Sequence, residues 1–196
     1  MPRNIMLAEP LSAVVALAAL ALLPEVVPPM QEQQMPYKAE TLVAERSLPN
    51  GASSINETYG DWIVNCSIVE NKKVCVFSQT HTSNQNGKRV FAIELQPPAD
   101  GRTNSVILLP FGLRLDDGVM LKIDEQTLEL DARFSTCIPV GCLVPIAFPA
   151  ADTEAMKRGE KLVVTANSSD GGVSRTFTIS LNGFAAAVNR ITELAK

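Results

Sequence analysis

The sequence has little excess basic charge and few aromatic side chains. Its 17 Lys and Arg residues are outnumbered by 21 Asp and Glu, and it contains one Trp and two Tyr. From Thr58 to Lys196 the charges nearly cancel, with 14 basic against 15 acidic residues. The densest basic positions are pairs such as Lys72-Lys73. Nucleic-acid-binding proteins usually carry a basic stripe with interleaved aromatic residues, so we expect no nucleic-acid partner.

The chain also lacks a hydrophobic run of the length that a membrane-spanning helix usually needs. Leu11 to Leu23 is an apolar run of 13 residues, interrupted only by Ser12 and preceded by Arg3. That length is typical of a signal peptide, whereas a membrane-spanning helix needs about 20 residues. We therefore predict that residues 1–23 are a cleaved signal peptide. The alternative is an uncut anchor in the inner membrane, which would then be the only membrane contact.

Apolar periodicity is missing from the stretch that follows. Residues 24–57 contain five prolines and the polar run Gln31-Glu32-Gln33-Gln34, which is typical of a disordered spacer. Residues 58–196 are then long enough for one domain with a hydrophobic core. With an export signal in front of it, this domain is expected in the periplasm or cell envelope, anchored to the inner membrane, or secreted.

Motifs of catalysis and metal binding are scarce. The only histidine is His81, and the sequence has no Gly-x-Ser-x-Gly nucleophile motif. We interpret His81 as an exposed residue at a strand end. Asp116-Asp117-Gly118 and Asp124-Glu125 do not have EF-hand spacing and are typical of tight turns. We expect no catalytic residue, no cofactor and no metal site.

Four cysteines occur as two close pairs, Cys66 with Cys75 and Cys137 with Cys142. An even number of cysteines behind an export signal predicts disulfides. Four cysteines allow three connectivities, and we choose the sequential one. A zinc site favours two to four residues between paired cysteines and a thiol oxidoreductase two, whereas the gaps here are eight and four, so metal and redox functions are the weaker alternatives.

The hydrophobic pattern around the first pair supports this choice. If Cys66 faces Cys75 across a hairpin, Glu70-Asn71 lies at the tip, and Asn71 tolerates the left-handed conformation of a tight turn. In that register Trp62 and Phe77 share the apolar face of the hairpin with both cysteines. The second pair brackets Ile138-Pro139-Val140-Gly141, a turn-forming sequence, which predicts a disulfide across a corner of the chain.

Short extended segments separated by turn residues fill most of the domain. Two helices are expected: a short internal one from Asp152 to Arg158, with Asp152 as N-cap, and a C-terminal one from Gly183 behind Asn182. The pattern predicts an all-β, mostly antiparallel fold, a β-sandwich with the C-terminal helix packed on it. The predicted strands are Val74–His81, Arg89–Leu95, Ser105–Phe111, Val119–Ile123, Thr127–Leu130, Leu143–Phe148, Leu162–Ala166 and Val173–Leu181.

Tyr59-Gly60-Asp61-Trp62 is the richest aromatic cluster of the domain. Tyr59 and Trp62 could contact a partner or a glycan, because aromatic side chains often anchor interfaces. The alternative that we favour is structural, because Trp62 falls on the apolar face of the predicted hairpin.

Several short motifs, taken in order, resemble the invasion-associated locus B family of Gram-negative bacteria. The resemblance covers residues 59 to 194 and implies an exported envelope protein, associated in some pathogens with entry into host cells. It implies no known reaction and no catalytic residue. The motifs are Tyr59-Gly60-Asp61-Trp62, Cys66, Cys75, Ser78-Gln79, Leu108-Leu109-Pro110-Phe111-Gly112-Leu113, Gly118-Val119, Thr136-Cys137 to Gly141-Cys142, and Asn182-Gly183-Phe184.

Two functional hypotheses follow from the sequence. The first is a non-enzymatic interaction or structural module of the envelope whose partner is an envelope or host protein. The alternative is a periplasmic hydrolase with an unrecognised site. A deep pocket that gathers His81 with Asp or Glu side chains would favour the hydrolase, and an exposed apolar patch would favour the interaction module.

Overall fold

The structure is a computed structural model that describes residues 47–82, 89–171 and 173–196. These residues form eleven strands, a short 3-10 turn at Pro49–Gly51 and two α-helices. The strands are β1 (Ser54–Tyr59), β2 (Trp62–Val69), β3 (Lys72–Thr82), β4 (Arg89–Leu95), β5 (Arg102–Leu109), β6 (Val119–Ile123), β7 (Gln126–Ala132), β8 (Thr136–Ile138), β9 (Gly141–Pro149), β10 (Lys161–Asn167) and β11 (Ser174–Ser180). The helices are α1 (Ala150–Arg158) and α2 (Phe184–Leu194).

The strands form two antiparallel sheets. The larger sheet has seven strands in the order β1-β2-β3-β4-β5-β9-β8, and the smaller has four in the order β11-β10-β6-β7. The chain builds β1 to β5 as successive neighbours, crosses to the smaller sheet for β6 and β7, and returns for β8 and β9. The predicted all-β sandwich with two helices is confirmed.

The core lies between the two sheets and beneath α2. Alternate residues of β2, Trp62, Val64 and Cys66, are fully buried and face the core, and Leu121 and Leu162 do the same from the smaller sheet. Burial of such a side chain stabilises the fold by roughly 1.5 to 3 kcal/mol. The period-two alternation therefore decides which face of each strand points inward.

Helix α2 covers one part of the larger sheet. Its buried side chains recur at helical spacing, which gives the helix one apolar face. Phe184 packs edge-on against Trp62, with ring centroids 5.1 Å apart, and lies 5.6 Å from the Phe77 ring. The predicted C-terminal helix is thus confirmed, but its N-cap is Gly183 rather than Asn182. A Cβ on Gly183 would overlap the carbonyl oxygen of Tyr59, so only glycine fits where α2 meets the β1–β2 turn.

Helix α1 begins earlier than predicted. The N-cap is Pro149, and Asp152 lies inside the first turn instead of capping the helix. The start is fixed by tertiary contacts, because the Ala150 N–H donates to the carbonyl of Gly101 at 2.9 Å and the buried Thr153 hydroxyl lies 2.9 Å from that of Thr103.

Most strand boundaries differ from the predicted ones by one to three residues, and two differences change which residues belong to the core. Strand β1 begins at Ser54, inside the predicted spacer 24–57, and Leu48 is buried in the core, so the end of that segment belongs to the domain. Strand β5 ends at Leu109, and Phe111 is 56% exposed beyond it instead of ending a buried strand. The predicted signal peptide 1–23 and the spacer up to residue 46 lie outside the described residues.

Candidate interaction surface

Cys66 and Cys75 lie opposite each other in the β2–β3 hairpin and form a disulfide, with Cα atoms 4.1 Å apart. Both cysteines are buried. Glu70 and Asn71 form the tip with φ values of 49° and 59°, the left-handed conformation expected of a two-residue hairpin turn. The hairpin register and the first bridge are therefore as the sequence predicted.

The second disulfide joins Cys137 of β8 to Cys142 of β9. These cysteines staple a two-residue hairpin turn at Pro139 and Val140, so the predicted corner is a hairpin between paired strands. Cys137 is exposed whereas Cys142 is buried. This bridge holds the edge of the larger sheet.

The two aromatic residues that could have formed a partner anchor have different environments. Trp62 is 0% exposed and its Nε1 donates to the carbonyl of Ser180 at 3.0 Å, so the ring is a core residue. Tyr59 is half-buried, and its hydroxyl donates to Glu57 at 2.8 Å. Trp62 therefore has the structural role in the core that we favoured, and Tyr59 belongs to a polar cluster.

That polar cluster connects α2 to β1. Arg190 donates to both carboxylate oxygens of Glu57, at 2.7 and 2.8 Å, across 133 residues. The guanidinium lowers the pKa of Glu57, because it donates hydrogen bonds to the charged carboxylate. The hydrogen bond to Glu57 raises the pKa of the Tyr59 phenol. The cluster fixes the helix against the sheet.

The remaining titratable candidates have structural partners. The His81 ring is exposed and stacks on Phe91 at 5.1 Å. Asp117 pairs with Arg114 at 3.3 Å, and the Asp124 carboxylate accepts the N–H of Lys161 at 3.0 Å. Among the described residues, no group of three or more His, Cys, Asp or Glu side chains is arranged to hold a metal ion.

A groove of about 520 Å³ lies between the two helices and the loop before β5. Its lining includes Arg102, Glu154, Lys157 and Glu193, so both charge signs are present. Lys157 and Glu154 pair with each other at 2.6 Å. The groove therefore does not select a ligand by charge.

The most distinctive surface is the side of the seven-stranded sheet that faces away from the core, here called the outer face. Its side chains are those that alternate with the core residues of β2, β3, β4, β5 and β9. Ile63, Val74 and Val106 are 44%, 48% and 39% exposed, which makes them large apolar residues in contact with solvent. Away from the strand ends, the set is Ile63, Asn65, Ser67, Val74, Val76, Ser78, Thr80, Ala92, Glu94, Asn104, Val106, Leu108, Leu143, Pro145 and Ala147, and Val69, Lys72 and Arg102 belong to the same face at the ends of their strands.

Charge is nearly missing from this outer face. Glu94 is the one ionisable residue of this face away from the strand ends, and the other two, Lys72 and Arg102, are the first residues of β3 and β5. The smaller sheet differs, because its solvent-facing side carries charged residues on three strands: Lys122, Glu129, Asp131 and Lys161. A solvated sheet face normally alternates with polar side chains, so the outer face is the unusual one.

Two runs of consecutive apolar residues in the sequence indicate that this face is apolar, although the prediction of the strands did not depend on them. Val74-Cys75-Val76-Phe77 and Val106-Ile107-Leu108-Leu109 are consecutive apolar residues in antiparallel strands. Such runs place apolar side chains on both faces of a strand and are typical of strands covered on both sides. The Glu57–Arg190 pair had no comparable signal, because its partners are distant in sequence.

Within the part of the chain that the structure describes, no helix is long and apolar enough to cross a membrane.

Comparisons with known proteins agree on one family. The model of the invasion associated locus B protein family matches residues 62–192. An invasion protein B homolog of Brucella abortus strain 2308 is 44% identical over 150 residues, which cover 76% of this chain and 86% of the homolog. Invasion protein B of Bartonella bacilliformis is 30% identical over 160 residues, covering 81% and 86%. The crystal structure of invasion associated protein B from Bartonella henselae matches with a TM-score of 0.66 at 33% identity, covering 71% of this chain and 96% of that one.

Proposed function

Because the chain belongs to the invasion associated locus B family, we propose that it is an exported envelope module that binds another protein through the outer face of its larger sheet. The observation that carries the proposal is the combination of exposed Ile63, Val74 and Val106 with one ionisable group, Glu94, away from the strand ends. Exposed apolar patches of this kind mark interaction sites in soluble proteins. The disulfide-stapled sandwich keeps the face rigid, which lowers the entropy lost on binding.

The proposed partner surface is apolar at its centre, with a cationic group opposite Glu94. A protein surface fits this chemistry better than an anionic membrane, because membrane-surface binding uses basic and aromatic side chains. The described strands β2, β3, β4, β5 and β9 place no Trp, Tyr or Phe on the outer face, and its basic residues, Lys72 and Arg102, lie only at strand ends. Burial of the exposed valines and isoleucine against a partner supplies the driving force, and the Glu94 contact supplies specificity.

We further propose that the module acts by binding rather than by catalysis. In the described residues, the clearest pKa shifts around a connected group of side chains belong to Glu57, Tyr59 and Arg190, which tie α2 to β1. Their charges are paired with each other, so the cluster has a positioning role in the fold. The names of the relatives refer to invasion, and by extension we propose that the partner contact supports association with host cells.

Site-specific photo-crosslinking in intact bacteria tests the binding proposal. A photo-crosslinking amino acid replaces Val106 on the outer face or, as matched control, Met120, which is 53% exposed on the other side of the sandwich. We expect a discrete adduct from position 106 whose partner peptide contains apolar residues and a Lys or Arg. The adduct should disappear when Ile63→Lys is combined with the probe at 106 and persist when Met120→Lys is combined with it.

Equal adducts from positions 106 and 120, or adducts only with phospholipid, would contradict a protein partner at this face. Thermal unfolding monitored by Trp62 fluorescence shows whether each variant is folded before crosslinking. A variant that keeps its melting temperature but loses the adduct has lost a contact and not its structure.

Export is tested separately. Residues 1–60 are fused to a reporter enzyme that is active only outside the cytoplasm, and we expect activity. An inactive but normally expressed reporter would contradict export. N-terminal sequencing of the envelope-extracted protein then separates a cleaved signal peptide from an uncut anchor.

A further inference from the structure

Strand β11 is an edge of the smaller sheet, and its hydrogen-bonding pattern shows which backbone groups are unused. The Leu181 N–H donates to Glu160 and the Ser168 N–H donates to Val173, so the odd-numbered residues of this segment face β10. The N–H and C=O groups of Thr176, Thr178 and Ser180 therefore point away from β10.

At Ser180 these outward groups are already bonded. The Gln79 side-chain amide donates to the Ser180 carbonyl and accepts its N–H, and Trp62 donates to the same carbonyl. Further along the strand, no described residue bonds the outward backbone groups of Thr176 or Thr178. Among the described residues, the outward backbone groups of this edge are thus bonded at Ser180 and have no partner at Thr176 and Thr178.

The open part of the edge borders a cleft of about 580 Å³. Residues 175–178 of β11 line one part of the cleft, and Val90 and the stacked pair His81–Phe91 line another. Phe177 also lines the cleft, and its ring is edge-on to that of Phe91, with centroids 5.7 Å apart. A cleft with an unpaired strand on one side and aromatic side chains on the other has the form of a site for one added strand.

Compared with the other edge strands of the described sheets, β11 is poorly protected against pairing. Strand β7 carries Glu129 and Asp131, β1 carries Glu57, and β8 has three residues. Edge strands usually avoid pairing with other chains by such charges or by shortness. Strand β11 has seven residues, Ser-Arg-Thr-Phe-Thr-Ile-Ser, with Arg175 as its single charge.

We propose that β11 binds an extended peptide segment of a partner protein, which adds as a strand between β11 and the His81–Phe91 pair. Backbone hydrogen bonds to Thr176 and Thr178 provide the binding energy, and Arg175 selects a segment with a carboxylate beside its apolar residues. The enclosing side chains of β3 and β4 favour a single strand over a second folded domain. This site is separate from the outer face of the larger sheet.

The test uses proline to remove one outward N–H. Thr178→Pro leaves the β10–β11 ladder intact, because the Thr178 N–H does not face β10, and proline is tolerated on an edge strand in that orientation. The matched control Thr178→Ala keeps the N–H. Thr176→Pro is a second variant of the same design, for use if Thr178→Pro lowers the melting temperature.

The probe is a random library of linear dodecapeptides displayed on phage, selected on the full-length oxidised protein. We expect enriched peptides with alternating β-branched residues and a carboxylate. Their Kd should be unchanged for Thr178→Ala and weakened about tenfold or more for Thr178→Pro, since backbone hydrogen bonds and strand fit are lost together. In hydrogen exchange, the amides of Thr176 and Thr178 should exchange rapidly in the free protein and become protected when peptide binds.

Three results would overturn the proposal. These are the absence of enriched peptides, folded proline variants that bind peptide as tightly as Thr178→Ala does, and a self-associating protein that Thr178→Pro converts to monomer in sedimentation. Val106→Lys is expected to leave peptide binding unchanged, so failure of the outer-face proposal and failure of this one give different results.

Discussion

The side-chain amide of Gln79 takes the place of a neighbouring strand for Ser180. Its Nε2 donates to the Ser180 carbonyl at 2.9 Å and its Oε1 accepts the Ser180 N–H at 3.0 Å, across 101 residues of sequence. Gln79 is buried and lies on β3, while Ser180 ends β11. One side chain thereby connects the edge of the smaller sheet to the centre of the larger one.

Replacing Gln79 by leucine should therefore destabilise the fold. Gln79→Leu removes two hydrogen bonds and leaves the partly buried backbone groups of Ser180 with one remaining partner, so we expect a loss of roughly 2 kcal/mol in the free energy of unfolding. The same change at the exposed Gln96 is the control and should alter stability by less than about 0.5 kcal/mol. Urea denaturation followed by Trp62 fluorescence measures both, and equal effects would contradict the role of Gln79.

Gly183 and Gly112 separate the effect of backbone conformation from that of close packing. Both have positive φ, 85° and 86°, but a Cβ on Gly183 would overlap backbone atoms of Tyr59, whereas one on Gly112 would have open space. Gly112→Ala should lose about 1 kcal/mol from the left-handed conformation alone. Gly183→Ala should lose at least about 3 kcal/mol, because α2 must also move away from the β1–β2 turn. Thermal unfolding of the two variants measures both losses of stability. Equal losses would show that the contact between Gly183 and Tyr59 is not tight.

The two disulfides should contribute unequally to stability. Replacing Cys66 and Cys75 together by alanine should cost roughly 3 kcal/mol and expose Trp62 to a collisional quencher, because that bridge is buried in the core hairpin. The Cys137–Cys142 bridge closes a smaller loop, so replacing both of its cysteines by alanine should cost roughly 2 kcal/mol. Non-reducing peptide mapping of the parent checks the connectivity first. A fragment that links Cys66 to Cys142, or the reverse order of stabilities, would contradict this assignment.

The Glu57–Arg190 pair should make stability depend on pH in one direction. Because Arg190 lowers the pKa of Glu57 in the folded protein below its ordinary value of 4.5, the pair stabilises the fold above that value and loses its effect as pH falls through the folded pKa. Arg190→Gln should thus destabilise by about 1 kcal/mol at neutral pH and have a smaller effect at about pH 3. Arg133→Gln, which breaks the exposed pair with Asp131, is the control and should have little effect at either pH. A penalty for Arg190→Gln that is unchanged at low pH would contradict the ionic role.

Local sequence was sufficient for features whose partners are close in the chain. The hairpin from Trp62 to Phe77 could be predicted in its register because alternation, turn residues and the Cys66–Cys75 spacing all agree. Strands β4 and β6 have the predicted bounds because breakers flank a clear apolar segment on both sides. Strand β1 was missed, since its alternation is weak and its burial depends on β2 and α2.

The same distinction between local and long-range features applies to the candidate surfaces and the contacts around them. The sequence by itself determined the fold class, the family, both cysteine pairs and the burial of Trp62, because each depends on periodicity, spacing or a short ordered motif. Only the tertiary structure decided that Gln79 closes the edge at Ser180, that Arg190 meets Glu57, and that the outer face lies open while the opposite face is covered. The first two relationships join residues more than a hundred positions apart. The free energy of all three depends on how separate elements pack, which no local pattern encodes.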